Sequence, residues 1–222
     1  MSRRQGAEGF ESKKKAAKQL KLDEKRKVNI KTVRQSIILA CEGTKTECLY
    51  FQDIFKELQI RHKITSDSLV IAKHSHTDPE GVLDDLLNHP NYQGFTYKWI
   101  VIDRDIERTN GGGHTVDNFN TALSRARGKK IKVAYSNPCF EIWYLLHLEY
   151  RNTAIDRDEL VNKLEFEQGY QKNTLFEQGS VDFAIANAKR LLASYPHHNP
   201  ERDNPSTTVH KLLEDLKDLE SS

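Results

Sequence analysis

The sequence predicts an α/β protein: a parallel sheet of about four strands with helices on both faces, followed by a helical C-terminal extension. Three observations carry that expectation. Trp99-Ile100-Val101-Ile102 is an unbroken apolar run with three β-branched side chains, as a strand buried on both faces requires. Runs of this kind alternate four times with stretches of helical period, the order that builds parallel strands joined by right-handed crossovers. Two of the strands also break at carboxylates, Asp103 and Asp105 after the central strand and Glu42 after Ser36–Cys41. In an open α/β sheet the carboxyl ends of the strands form the ligand crevice, so these acids would be delivered to one edge.

Taken in order, residues 1–34 read as a basic arm, disordered or loosely helical, with twelve Lys or Arg against four Asp or Glu. The remaining 188 residues carry 22 basic and 28 acidic side chains, so a formal charge of +2 hides a basic arm on an acidic body. Such an arm suits contact with a polyanion, or else simple solubility. Residues 35–150 are expected to form the α/β domain that carries Glu42, Asp103 and Asp105. After the first strand, Thr44 or Thr46 can cap a helix whose Phe51, Ile54, Phe55 and Leu58 share one face. A second strand fits Ser68–Lys73. Asp78 then caps a helix with Pro79 at its first position, and Asn88-His89-Pro90-Asn91 stops it.

The central strand follows, ending at Asp103, with a loop from Glu107 to His114 whose three successive glycines suit either a mobile site edge or an idle surface. A helix over 116–126 leads to the strand Ile131–Tyr135. Ser136–His147 then begins a helix apolar nearly all round, hence buried. Residues 151–222 read as the helical extension, with helices near 158–165, 181–193 and 207–219. Asn204-Pro205-Ser206-Thr207-Thr208 is expected to supply the turn and cap of the last one.

With 37% apolar and 30% charged residues, no apolar run near the roughly 18 residues of a membrane span and no signal-peptide pattern, the expected compartment is the cytoplasm. Cys41, Cys48 and Cys139 lack metal-ligand spacing and read as reduced, buried small side chains.

Glu42, Asp103 and Asp105 would cluster, and like charges at close range raise one another's pKa unless neutralised. A magnesium ion answers that need with hard oxygen ligands, and the matching chemistry is phosphoryl transfer. Glu47 either joins these ligands or complements a helix dipole. Glu141, set among Phe140, Ile142 and Trp143, either caps its helix or turns toward the acids. His147 and His210 read as packing residues more than catalytic ones, and the pair His74 and His76 as a weak metal candidate. Lys172 either holds a phosphate or is a solvated surface lysine, Lys45 is a candidate for substrate binding, and Arg104 would point to the opposite side, to brace the site or meet substrate.

The block Ile38-Leu39-Ala40-Cys41-Glu42-Gly43-Thr44-Lys45-Thr46-Glu47, followed by Tyr50-Phe51 and together with Asp103-Arg104-Asp105, resembles the Toprim domain of topoisomerases, primases and OLD-type nucleases. Ser136–His147 and Asn204–His210 resemble, more narrowly, the RloB-like family. The resemblance implies a Toprim-like sheet. It also implies a metal-dependent nuclease with Glu42 as general acid/base or metal ligand and Asp103 and Asp105 as ligands of Mg2+ or Mn2+; Glu141 as a further catalytic candidate and Glu47 as a further ligand come from the reading of the residues above. Family context implies anti-phage abortive infection under control of a partner AAA-type ATPase, a nucleic-acid substrate that is DNA or tRNA, no membrane partner, and a homo-oligomer left open. Two rivals stand beside it: nucleotidyl transfer of the primase kind, and a non-catalytic module binding nucleic acid and a partner. An Asp-nucleophile phosphatase is disfavoured, because the D-x-D follows the third strand and lacks the Thr or Val expected after it.

Overall fold

In chain order the elements are β1 (Ile37–Cys41), α1 (Thr46–His62), β2 (Leu69–Ile71), α2 (Pro79–Leu87), β3 (Tyr97–Asp103), α3 (Val116–Gly128), β4 (Lys132–Asn137), α4 (Glu141–Leu148), α5 (Arg157–Gln168), α6 (Val181–Ala193), β5 (Ser206–Thr207) and α7 (Val209–Glu220). They belong to a computed structural model that describes residues 35–62, 65–106, 113–172 and 174–220. The expectations for the basic arm (1–34), and for most of the glycine loop (107–112), lie outside the described residues.

The sheet runs β2-β1-β3-β4-β5, with the first four strands parallel and β5 antiparallel to β4. Side chains alternate across it as the pleat demands. Ile37, Leu39, Trp99 and Val101 face a core shared with α1 and α4 to α7. Ile38, Ala40, Ile100 and Ile102 face a second core, filled by Val82, Leu83 and Leu86 of α2 and Phe119, Ala122 and Ala126 of α3. Helices therefore cover both faces, and each large side chain so buried contributes about 1.5–3 kcal/mol.

Local chemistry fixes the helix starts. Asp78 accepts from the Gly81 N–H with Pro79 just inside α2, Thr115 caps α3 through Asn118, and Asp156 caps α5 through Glu159. Gly169, at φ 65°, ends α5 in the left-handed region that glycine adopts without strain. Helix α4 is buried from Glu141 to His147, as its all-round apolar pattern predicts.

One expectation changes. Ser206-Thr207, read as part of a turn and cap, forms β5 against Ser136 and Asn137. The Ser136 and Thr207 hydroxyls meet at 3.1 Å, while Thr208 Oγ1 accepts from the Tyr135 N–H and donates to the Val133 carbonyl. A two-residue strand of small hydroxyl side chains is too short to carry a period-2 signal, which is why it reads as turn chemistry.

The strand order positions the site. The chain leaves β1 to form β2 on one side and returns to place β3 on the other, so the order reverses between β1 and β3. Ligand crevices of parallel sheets open at the carboxyl ends of the strands flanking such a reversal.

Candidate active site

Glu42 directly follows β1, and its N–H continues the ladder by donating to the Val101 carbonyl at 3.0 Å. Its side chain crosses to the neighbouring strand end, where Oε2 accepts from the Asp103 N–H at 3.0 Å. Two acids 61 residues apart are thereby locked together at the reversal point. The chain then turns at Gly43 into α1, and the Glu47 carboxylate in the first helical turn folds back against Gly43, where the N–H groups of residues 43 and 47 favour its charged form. A Cβ at position 43 would lie 1.8 Å from Glu47 Oε2, so glycine is what lets the carboxylate occupy that space. From the other side, Glu141 opens α4. It makes no cap bond; it turns inward and accepts from the Tyr170 hydroxyl at 3.1 Å.

These four acids line a cavity of about 220 Å³, with Lys45, Lys172 and Arg157 adding positive charge to its walls. Asp103, Glu47 and Glu141 are buried, at 5%, 5% and 2% exposure, while both lysines are exposed. Asp103 Oδ1 is buried with no hydrogen-bond partner among the described residues. Burial pushes Glu42 up to about 8, aided by the charges of Glu47 and Asp105, although the Asp103 N–H and Arg157 pull the other way. Burial likewise raises Glu47 to about 7, with Glu141 adding to it. Asp103 rises well above the usual carboxylate range, through burial first and then Glu47, Glu42 and Glu141. Burial first, and the neighbouring acids after it, push these carboxyls toward their protonated forms.

Asp105 lies at the outer side of the same group, ion-paired to Arg157. Arg157 separates the cavity from a larger groove of about 1180 Å³ that includes Asp105 and the exposed side chains of Ile106 and Phe166. Four of the acids converge on the smaller space, which makes it the candidate site. Arg104 points away from it: its buried guanidinium sits 5.8 Å from the Phe119 ring centroid, and Nε and Nη1 have no partner among the described residues. His76 is committed to Asp85 at 2.7 Å and His74 Nδ1 lies 3.2 Å from the Cys41 carbonyl, so the two histidines do not form a ligand pair. His147 is buried 3.4 Å from the Tyr50 hydroxyl, and His210 is buried in α7. All three cysteines are free and buried.

Two residues of this region escape the sequence reading. His114 Nδ1 lies 3.7 Å from Glu42 Oε1, and burial together with the charge of Arg104 pushes its pKa down to about 4. Arg157 is a single arginine after an ordinary helix cap, and nothing in its neighbourhood marks it as facing acids 50 residues earlier in the chain.

No group of three or more His, Cys, Asp or Glu side chains among the described residues is arranged to hold a metal ion as it stands. The donor chemistry fits a hard divalent cation all the same: the donors are all carboxylate oxygens, one of them is an orphan, and the excess charge is negative. Glu42, Glu47, Asp103 and Asp105 are the residues that could hold it. Among the described residues no helix is long and apolar enough to cross a membrane.

A family model described as RloB-like protein matches residues 37–216. No curated protein and no solved structure matches the chain. The family match spans most of the sequence, and the chain belongs to the RloB-like family.

Proposed function

We propose that this RloB-like protein is a divalent-metal-dependent nuclease with a Toprim-like site that hydrolyses phosphodiester bonds. One observation carries the reading: carboxylates from β3, the loop after β1, α1 and α4 are buried together around a small cavity at the reversal point of a parallel sheet. Packing does not require them there, and their mutual repulsion opposes folding. Chemistry on a phosphodiester is what such a concentration of hard oxygen ligands serves.

A bound Mg2+ or Mn2+ would supply charge stabilisation at the phosphodiester oxygens. The chain's own residues supply the rest. Glu42 is held from both sides, Oε2 by the Asp103 N–H and Oε1 3.7 Å from His114 Nδ1, and this fixed carboxyl at the cavity wall is the group to take or give a proton at the reacting oxygen. Tyr170 fixes Glu141 in the same way. Lys45 and Lys172, exposed at the rim, are placed to neutralise flanking phosphates, a term that does not depend on sequence. Residues 1–34, with twelve Lys or Arg against four Asp or Glu, add by their composition a sequence-independent attraction to a polyanion. Family resemblance adds a role in abortive infection, with the nuclease released by a partner AAA-type ATPase.

The test is the purified full chain, alone and with an AAA-type ATPase of the kind the family resemblance implies, on duplex DNA, single strands and tRNA with Mg2+ or Mn2+. Cleavage is expected, abolished by chelation, lost in Asp103→Asn and reduced about 10²–10⁴-fold in Glu42→Gln. Unchanged cleavage, toxicity and phage protection in Asp103→Ala with Asp105→Ala would overturn the reading. Longer products in the presence of nucleoside triphosphates would replace hydrolysis with nucleotidyl transfer.

A further inference from the structure

Glu42, Glu47, Asp103, Asp105 and Glu141 crowd the carboxyl edge of the sheet, and the guanidinium that reaches in among them belongs to Arg157. It is the first residue of α5, where the helix dipole disfavours a cation and where Asp158 and Glu159 already supply the favoured charge. The helix therefore gives no reason for an arginine. Its surroundings do: Nη1 is paired with Asp105, the side chain is only 22% exposed, and it forms part of the wall of the acid cavity. Burial works against its charge, yet Asp103, Asp105 and Glu141, with Cys139, more than offset that and hold the guanidinium firmly protonated. The same guanidinium in turn lowers Glu42, Glu47 and Asp103.

We propose that Arg157 is the built-in counter-cation of the acid cluster. It holds Asp105 and balances its neighbours before a divalent cation binds, and the incoming cation competes with it for the same carboxylates. This rests on reading those acids as a divalent-cation site. Arg157 is then a positioning residue: it sets the affinity of the site for metal and keeps the metal-free protein from being driven apart by its own acids. Two cations drawn to one set of buried oxygens repel each other at short range, so removing the guanidinium tightens metal binding while loosening the metal-free fold.

The experiment is Mn2+ binding by calorimetry to the full chain, with thermal melting in chelator and in excess Mn2+, for the parent, Arg157→Gln, Arg157→Lys and Asp103→Asn. Arg157→Gln is expected to melt lower than the parent in chelator, to bind Mn2+ about tenfold more tightly, and to gain more from the metal. Arg157→Lys keeps a charge but loses the planar fork, so a smaller tightening is expected; if Arg157→Gln does not fold, this variant decides the matter. Mn2+ affinity equal to or weaker than the parent's in the folded Arg variants overturns the inference. So does weaker binding of an uncleavable oligonucleotide with Mn2+ affinity unchanged, which would make Arg157 a phosphate clamp. If the parent and Asp103→Asn alike bind no Mn2+, the metal reading itself fails. If the parent binds, Asp103→Asn does not, and the Arg variants match the parent, only the role of Arg157 fails.

Discussion

Strand β3 meets a buried carboxylate at each of its ends, and the two are treated in opposite ways. At its start, Asp215 of α7 is nearly buried, and both its oxygens are used: Oδ2 accepts from Trp99 Nε1 at 2.9 Å, and Lys132 Nζ reaches Oδ1 and Oδ2 at 2.9 and 2.7 Å. The same ammonium lies 4.8 Å from the Tyr97 ring centroid, so the acid, its cation and two aromatic rings form one closed group. At the other end, Asp103 is as deeply buried but has an orphaned oxygen, and Glu42 and Glu47 beside it are pushed toward protonation. The first arrangement stabilises the fold. The second costs stability, and the difference marks where the sequence serves binding chemistry over packing.

Substitution at the two ends should therefore move stability in opposite directions. Asp215→Ala leaves the Trp99 N–H unsatisfied and is expected to cost about 2–3 kcal/mol in urea unfolding, with the proposed cleavage and Mn2+ binding the same as in the parent. Asp103→Asn relieves repulsion and is expected to leave metal-free stability unchanged or raise it by about 1 kcal/mol, while abolishing activity. Equal destabilisation at both ends would break the contrast, since Asp103 would then be a structural acid like Asp215.

A smaller effect sharpens the functional end. In Gly43→Ala the new methyl group overlaps the Glu47 carboxylate, the far end of a flexible side chain, so the cost falls on the position of that carboxylate and little on the fold. Mn2+ affinity is expected to drop about tenfold, the size seen when the groups that orient a ligand are disturbed, with the melting temperature nearly unchanged. Unchanged affinity would remove Glu47 from the ligand set and leave it as a helix-dipole residue.

The parts of this arrangement legible in the sequence are those with local signatures. The apolar run into Asp103 and the glycine after Glu42 fix strand ends and turns, and Asp78-Pro79 states a helix start outright. The strand order is not local. Nothing near β1 says that β3 will lie beside it, so the sequence places Glu42 and Asp103 at strand ends without bringing them within one hydrogen bond. Glu141 is caught because a carboxylate amid aromatic residues contradicts its surroundings. Arg157 is missed because an arginine in a polar helix contradicts nothing until the fold turns it toward the acids. β5 escapes for a third reason: two residues are too few for any periodicity, and the pairing is held by hydroxyls whose chemistry also suits a cap.

The smallest effect concerns a buried base, which obeys the same rule as the buried acids: burial favours the neutral form. For Glu42 and Glu47 that means protons held to about 8 and about 7. The unfolded chain has released those protons by then, so in the metal-free protein these groups add stability as pH falls below those values. His210 runs the other way. Burial pushes it down to about 4, with Lys211 and Lys189 helping and Glu214 opposing, and its Nδ1 has no partner among the described residues. The unfolded state binds the proton near the ordinary histidine value of roughly 6.5, the folded state only near 4, so stability is lost as pH falls through that window and is flat above it. His114 and His147, each pushed down to about 4, act in the same sense, so the raw pH profile mixes opposing terms. Comparing His210→Gln with its parent isolates one of them: the parent should lose about 1 kcal/mol more than the variant between about pH 7.5 and about pH 5.5. Parallel profiles would mean that α7 admits water to His210, and that burial on this side of the sheet is looser than the acid end implies.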